Sequence, residues 1–121
     1  MAADLIKVCD FADLSPGAGH RVVSVVPPIA VFLTEDGTVH VLDDTCTHQE
    51  AALSDGWIDG CSVECPLHMS RFDLRTGAAE APPAELPVRV HEAEVINGEV
   101  WVRPSEEAPN LPPDGKSPAR G

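Results

Sequence analysis

Residues 43–84 read DDTCTHQEAALSDGWIDGCSVECPLHMSRFDLRTGAAEAPPA, and two short segments within them carry metal-ligand side chains, Cys46-Thr47-His48 and Cys65-Pro66-Leu67-His68. As a pattern this is C-x-H-x16-C-x2-H. Each segment brings one thiolate and one imidazole within reach of a single site, and Gly56, Gly60, Pro66 and Gly77 mark the surroundings as loops rather than helices. The only strand candidates here are short: Trp57-Ile58, Cys61 to Glu64 and Arg71 to Leu74. The stretch is therefore expected to have little regular core of its own. Metal ligation would supply the missing order, because the free energy of binding metal is then also free energy of folding.

On either side the pattern changes to alternation with period two, the signature of strands with one buried face. Leu5 to Cys9 reads as a first strand, and His20 to Val26 as a second that ends at Pro27-Pro28. Ile29 to Thr34 and Thr38 to Leu42 flank Glu35-Asp36-Gly37, while Leu86 to Ile96 and Glu99 to Val102 flank Asn97-Gly98. Asp-Gly and Asn-Gly between apolar runs are strong hairpin signals, since both residues tolerate the positive φ of a tight turn. Residues 1–103 thus form one all-β domain, with a lobe at about 43–84 inserted between hairpins, and residues 104–121 read as a proline-rich tail draped on the surface.

Composition narrows the function. Eight Lys and Arg against 20 Asp and Glu give a formal net charge of −12 over 121 residues, the opposite of the basic footprint that nucleic acid requires. An anionic membrane surface is disfavoured for the same reason, and no apolar run approaches the length of a bilayer span. Met1-Ala2-Ala3-Asp4-Leu5 has no basic and apolar leader pattern, so the cytoplasm is the expected compartment. There the four cysteines, Cys9, Cys46, Cys61 and Cys65, favour metal ligation or free thiols over disulfides.

The stretch CTHQEAALSDG…CPLHMSRFDLRTG resembles the two cluster-binding loops of Rieske-type ferredoxins, in particular the small ferredoxins of bacterial aromatic ring-hydroxylating dioxygenase systems. The resemblance runs from the first strand to Val102. It implies the Rieske fold, antiparallel sheets in a sandwich with a small lobe formed by two loops. It also implies one [2Fe–2S] cluster per chain, with Cys46 and Cys65 on one iron and His48 and His68 on the other. Two thiolates and two neutral imidazoles leave an oxidised cluster uncharged, whereas four thiolates leave it at −2, so an electron is added more readily to the mixed set.

The resemblance further implies that Ser70 hydrogen-bonds cluster or cysteine sulfur, and that Phe72 stands where high-potential members have a Tyr donor. Ala51 and Leu67 occupy the positions at which those members carry a disulfide. Fewer donors and the acidic chain place the expected potential below zero, at the low end of a range of roughly −150 to +300 mV. Gln49 departs from the family's frequent Gly after the first His.

The implied role is a one-electron carrier, not an enzyme, between an NAD(P)H-dependent flavoprotein reductase and a Rieske non-haem iron terminal oxygenase. The chain is expected to be a monomer, and its acidic surplus to be either a solubility face or a charge that steers it to basic partners. Alternatives are the small subunit of a nitrite reductase-type complex, and an interaction module stapled by zinc through the same Cys₂His₂ set. An oxygenase needs a second domain with its own iron site, and only His91 follows the loops. Cys9 and Cys61 read as buried, inert strand thiols, and His20, His40 and His91 as exposed or hydrogen-bonded strand residues. Phe72 and Trp101 read as core, and Pro82-Pro83 either as loop punctuation or as the proline-bearing loop that covers the cluster in the family.

Overall fold

Alternating β-branched and apolar residues, cut by turns, build ten short strands among the described residues. The computed structural model describes residues 5–25, 27–47, 51–66, 70–81 and 86–110. Its strands are β1 (Ile6–Asp10), β2 (Gly19–Val22), β3 (Ile29–Leu33), β4 (Val39–Asp43), β5 (Trp57–Asp59), β6 (Ser62–Glu64), β7 (Arg71–Asp73), β8 (Ala79–Ala81), β9 (Val90–Ile96) and β10 (Glu99–Arg103). Single 3-10 turns occur at Phe11–Asp13 and Leu53–Asp55, and there is no α-helix among the described residues.

Every strand pairing is antiparallel. A six-stranded sheet has the order β1-β10-β9-β4-β3-β2, and a four-stranded sheet the order β5-β6-β7-β8. Both expected hairpins form. Asn97 and Gly98 have φ of 51° and 77°, the two positive values that a type I′ turn demands. In the other hairpin the Asp36 carboxylate accepts from the Thr34 hydroxyl and the Thr38 N–H, which closes the turn around Gly37.

β3 is buried along its whole length. Its side chains alternate between two cores, as the pleat requires. Ile29 and Val31 pack with Cys9, Val22, Val41, Val100 and Val102, a set drawn from both halves of the six-stranded sheet, so that sheet curls upon itself. Ala30 and Phe32 face the other way and pack with Leu42, Leu53, Val63, Phe72, Leu74, Val88 and both motif cysteines. The lobe therefore has a regular sheet and an apolar core after all. The sequence hid this because the core is completed from outside, by Ala30 and Phe32 of β3, Leu42 of β4 and Val88.

Several boundaries differ from expectation for identifiable reasons. β2 stops at Val22 rather than Val26 because Val22 already pairs with Ile29, the first residue of β3, and Val23 is exposed. β9 begins at Val90 rather than Leu86, where its pairing with Leu42 of β4 begins. β8 consists of Ala-Glu-Ala, which has no β-branched residue to signal a strand, and owes its state to pairing with β7. Cys61 is half-buried in the turn between β5 and β6, not on a strand, whereas Cys9 is a buried strand residue. Trp101 lies on the sheet face opposite Val100 and Val102 and is half-exposed, so only Phe72 of that pair is core.

Candidate metal centre

The first loop leaves β4 through two buried carboxylates. Asp44 receives the Ser54 N–H at 2.7 Å, the Ser54 hydroxyl at 3.1 Å and Arg21 Nη1 at 3.0 Å, while its own carbonyl accepts the Leu53 N–H. Burial pushes the Asp44 carboxyl above the usual range against the pull of Ser54 and Arg21. These bonds bring Leu53 and Ser54 back against Asp44, and Cys46 donates its N–H to the Ala51 carbonyl at 3.0 Å.

The second loop repeats this closure. β6 and β7 pair up to Glu64 and Arg71, and Cys65, the next residue, donates its N–H to the Ser70 carbonyl at 2.6 Å. Both cysteines thus sit at the first position of a loop closed by the carbonyl five residues on. Their exposures are 0 % and 1 %, and they belong to the same apolar cluster. Ser70 is equally buried, at 1 %. Two buried thiols on twin loops, neither in a disulfide, are suited to bind a thiophilic iron centre and not to bridge. His48 and His68 lie outside the described residues, as do Gln49, Leu67 and Pro82-Pro83.

Two close approaches fix the lobe. Gly56 has no room for a side chain, since a Cβ there would stand 1.9 Å from the Glu64 carbonyl oxygen, one residue before Cys65. Gly77, at φ 77°, would place one 2.1 Å from the Val88 carbonyl oxygen, and its own carbonyl accepts the Val88 N–H at 2.9 Å. The segment leading into β9 is thereby pressed against the lobe. It also touches the first loop, where the buried Thr47 hydroxyl donates to the Leu86 carbonyl at 2.7 Å.

A network that sequence reasoning missed lies behind this loop. Asp43 accepts from Arg89 Nε at 2.9 Å and Nη2 at 3.1 Å, and it meets His91 Nε2 at 2.9 Å. Burial alone would raise the Asp43 carboxyl, but the hydrogen bonds from His91 and Arg89 outweigh it and hold the group below the usual range. His91 is thus a hydrogen-bonded strand residue as expected, but buried rather than exposed. A polar pair of consecutive aspartates directly after the apolar Val39–Leu42 run was the one signal available in the sequence.

The Rieske [2Fe-2S] domain model matches residues 4–92. This chain belongs to that family. Ferredoxin CarAc of Metapseudomonas resinovorans is 42% identical over 98 residues, covering 80% of this chain and 91% of that protein. The 3-phenylpropionate/cinnamic acid dioxygenase ferredoxin subunit of Photorhabdus laumondii is 41% identical, covering 83% and 94%. Among solved structures, the complex of reduced oxygenase and oxidized ferredoxin in carbazole 1,9a-dioxygenase matches with a TM-score of 0.77 at 39% identity, covering 86% of this chain and 96% of that one.

Membership brings one [2Fe–2S] cluster, and the relatives are electron-transfer components, so this Rieske ferredoxin is a carrier and not a catalyst. Two alternatives separate on the same comparisons. A nitrite reductase small subunit from Mycobacterium tuberculosis shares the fold at 23% identity and shows no more than that. Dicamba monooxygenase matches at 28% identity, but this chain covers only 34% of it.

Proposed function

We propose that this ferredoxin passes single electrons from an NAD(P)H-dependent flavoprotein reductase to the Rieske non-haem iron terminal oxygenase of an aromatic ring-hydroxylating system. The observation that carries the proposal is the pair of twin loops that bury Cys46 and Cys65 in one core cluster. Support for the partner class comes from the names of the relatives, which are dioxygenase ferredoxin components, and from the carbazole system in which a ferredoxin is seen with its oxygenase.

On this reading Cys46 and Cys65 hold one iron, His48 and His68 the other, and Ser70 donates to sulfur. When bound, the cluster supplies a site that gains and gives up one electron. The protein's part is to keep water from the two cysteines, to fix the loops through Asp44, Thr47 and the two glycines, and to present an acidic body to basic partners. Partner complexes must be short-lived, because one surface serves donor and acceptor in turn. The domain is residues 1–103 with its lobe at about 43–84, acting as a monomer in the cytoplasm. No helix among the described residues is long and apolar enough to cross a membrane.

The test is iron content and low-temperature EPR of the purified protein reduced with dithionite. Two irons per chain and the rhombic spectrum of a mixed histidine and cysteine centre are expected. A colourless protein holding one zinc would overturn the reading.

A further inference from the structure

The ferredoxin reading leaves the residues after β10 without a role, although residues 104–110 are fastened to the domain at four points. The Ser105 N–H donates to His91 Nδ1 at 2.9 Å. The carbonyls of Ser105 and Glu107 accept from Arg89 Nη1 at 3.4 and 2.7 Å. Asn110 Nδ2 donates to the Pro87 carbonyl at 3.1 Å. All four bonds land on residues 87–91.

This is the segment that reaches the cysteine loops. Leu86 accepts from Thr47, beside Cys46. Val88 is joined to Gly77, in the turn between β7 and β8. Arg89 and His91 converge on Asp43, three residues before Cys46, and the Asp43 N–H donates to the Arg89 carbonyl at 3.0 Å. The Ser105 N–H also sets the histidine. Because Nδ1 accepts a backbone N–H, the ring hydrogen sits on Nε2 and points at Asp43.

We infer that residues 104–110 are a strap that locks the 86–91 segment against the first cysteine loop, with Ser105 and Asn110 as positioning residues for the electron-transfer site. The effect on the cluster rests on the ferredoxin reading, while the strap itself rests on the hydrogen bonds above. A loosened strap admits water beside the loop. Water favours the reduced form of a centre that is uncharged when oxidised, so the potential rises, and the cluster is lost more readily.

The experiment uses the full chain carrying Asn110→Ala or Ser105→Pro, the first at a surface side chain and the second deleting the backbone donor to His91 together with the hydroxyl that accepts the Glu107 N–H at 3.1 Å. Hydrogen exchange, cluster bleaching by an iron chelator and the midpoint potential are measured against the parent. For each bond removed, the amides of Asp43 and Val88 should exchange about threefold to tenfold faster, with β3 unchanged. Bleaching should accelerate by a similar factor and the potential should move upward, while Glu106→Gln, at an exposed strap position, leaves all three as in the parent. Unchanged exchange at Asp43 and Val88 in both variants would overturn the strap. Faster exchange with unchanged bleaching and potential would overturn its role at the site. A parent that takes up no iron would instead sink the ferredoxin reading, and exchange alone then decides the strap.

Discussion

The Arg89 guanidinium grips the Asp43 carboxylate through two hydrogen bonds, 2.9 and 3.1 Å long, with side-chain exposures of only 12 % and 3 %. A pair so placed is costly to break from one side, because the surviving charge is left buried without its counter-ion. Arg89→Leu is expected to cost about 3–5 kcal/mol in denaturant unfolding. Replacing Asp43 by Leu as well should restore a good part of that loss. A single variant as stable as the parent would show that the pair is not shut from water in solution.

Asp43 also sets an acid limit. Its folded carboxyl lies below the unfolded value of about 3.9, so the folded state binds its proton less readily than the unfolded one. The stabilisation is therefore complete above the unfolded value and is lost as pH falls through the folded one. Unfolding followed from pH 6 downward should show this acid limb, and Asp43→Asn should flatten it while lowering stability at neutral pH.

The ligand assignment is tested by exchange of donor type. His68→Cys should keep a cluster and lower its potential, because a thiolate adds negative charge where imidazole added none. Cys46→Ser should lose the cluster, whereas Cys61→Ser, in its half-buried turn, should keep it. A His68→Cys protein with unchanged spectrum and potential would remove His68 from the ligand set.

Gly77→Ala combines a positive φ with a Cβ forced to 2.1 Å from the Val88 carbonyl oxygen, so backbone must shift. A loss of more than about 1 kcal/mol is expected, together with faster chelator bleaching. Gly37→Ala is the contrast, since its φ of 87° is strained but nothing lies within 4 Å, and it should destabilise without touching bleaching.

The charge of −12 makes a kinetic prediction. If it steers docking to basic partners, electron-transfer rates with reductase and oxygenase should fall as ionic strength rises. Rates indifferent to salt would reduce the acidic surplus to a solubility device.

What could be read from the chain was whatever is local. Asp36-Gly37 and Asn97-Gly98 carry their turn chemistry in adjacent residues, and the cysteine and histidine segments carry their spacing. The Asp43 bonds to Arg89 and His91 join residues 46 and 48 positions apart, and no short pattern encodes such a pairing. The strand state of Ala79–Ala81 was equally invisible, because β7 imposes it. The core of the lobe was missed because Ala30 and Phe32 belong to a strand that already looked fully employed on its other face.

β3 divides its side chains between two cores, and the one holding Ile29, Val31, Val41, Val100 and Val102 draws nothing from the described residues of the 43–84 stretch. An interior of that kind needs no iron. Stripping the metal is therefore expected to loosen the end of the molecule that carries Cys46 and Cys65 and to leave the packing of Ile29 and Val31 in place.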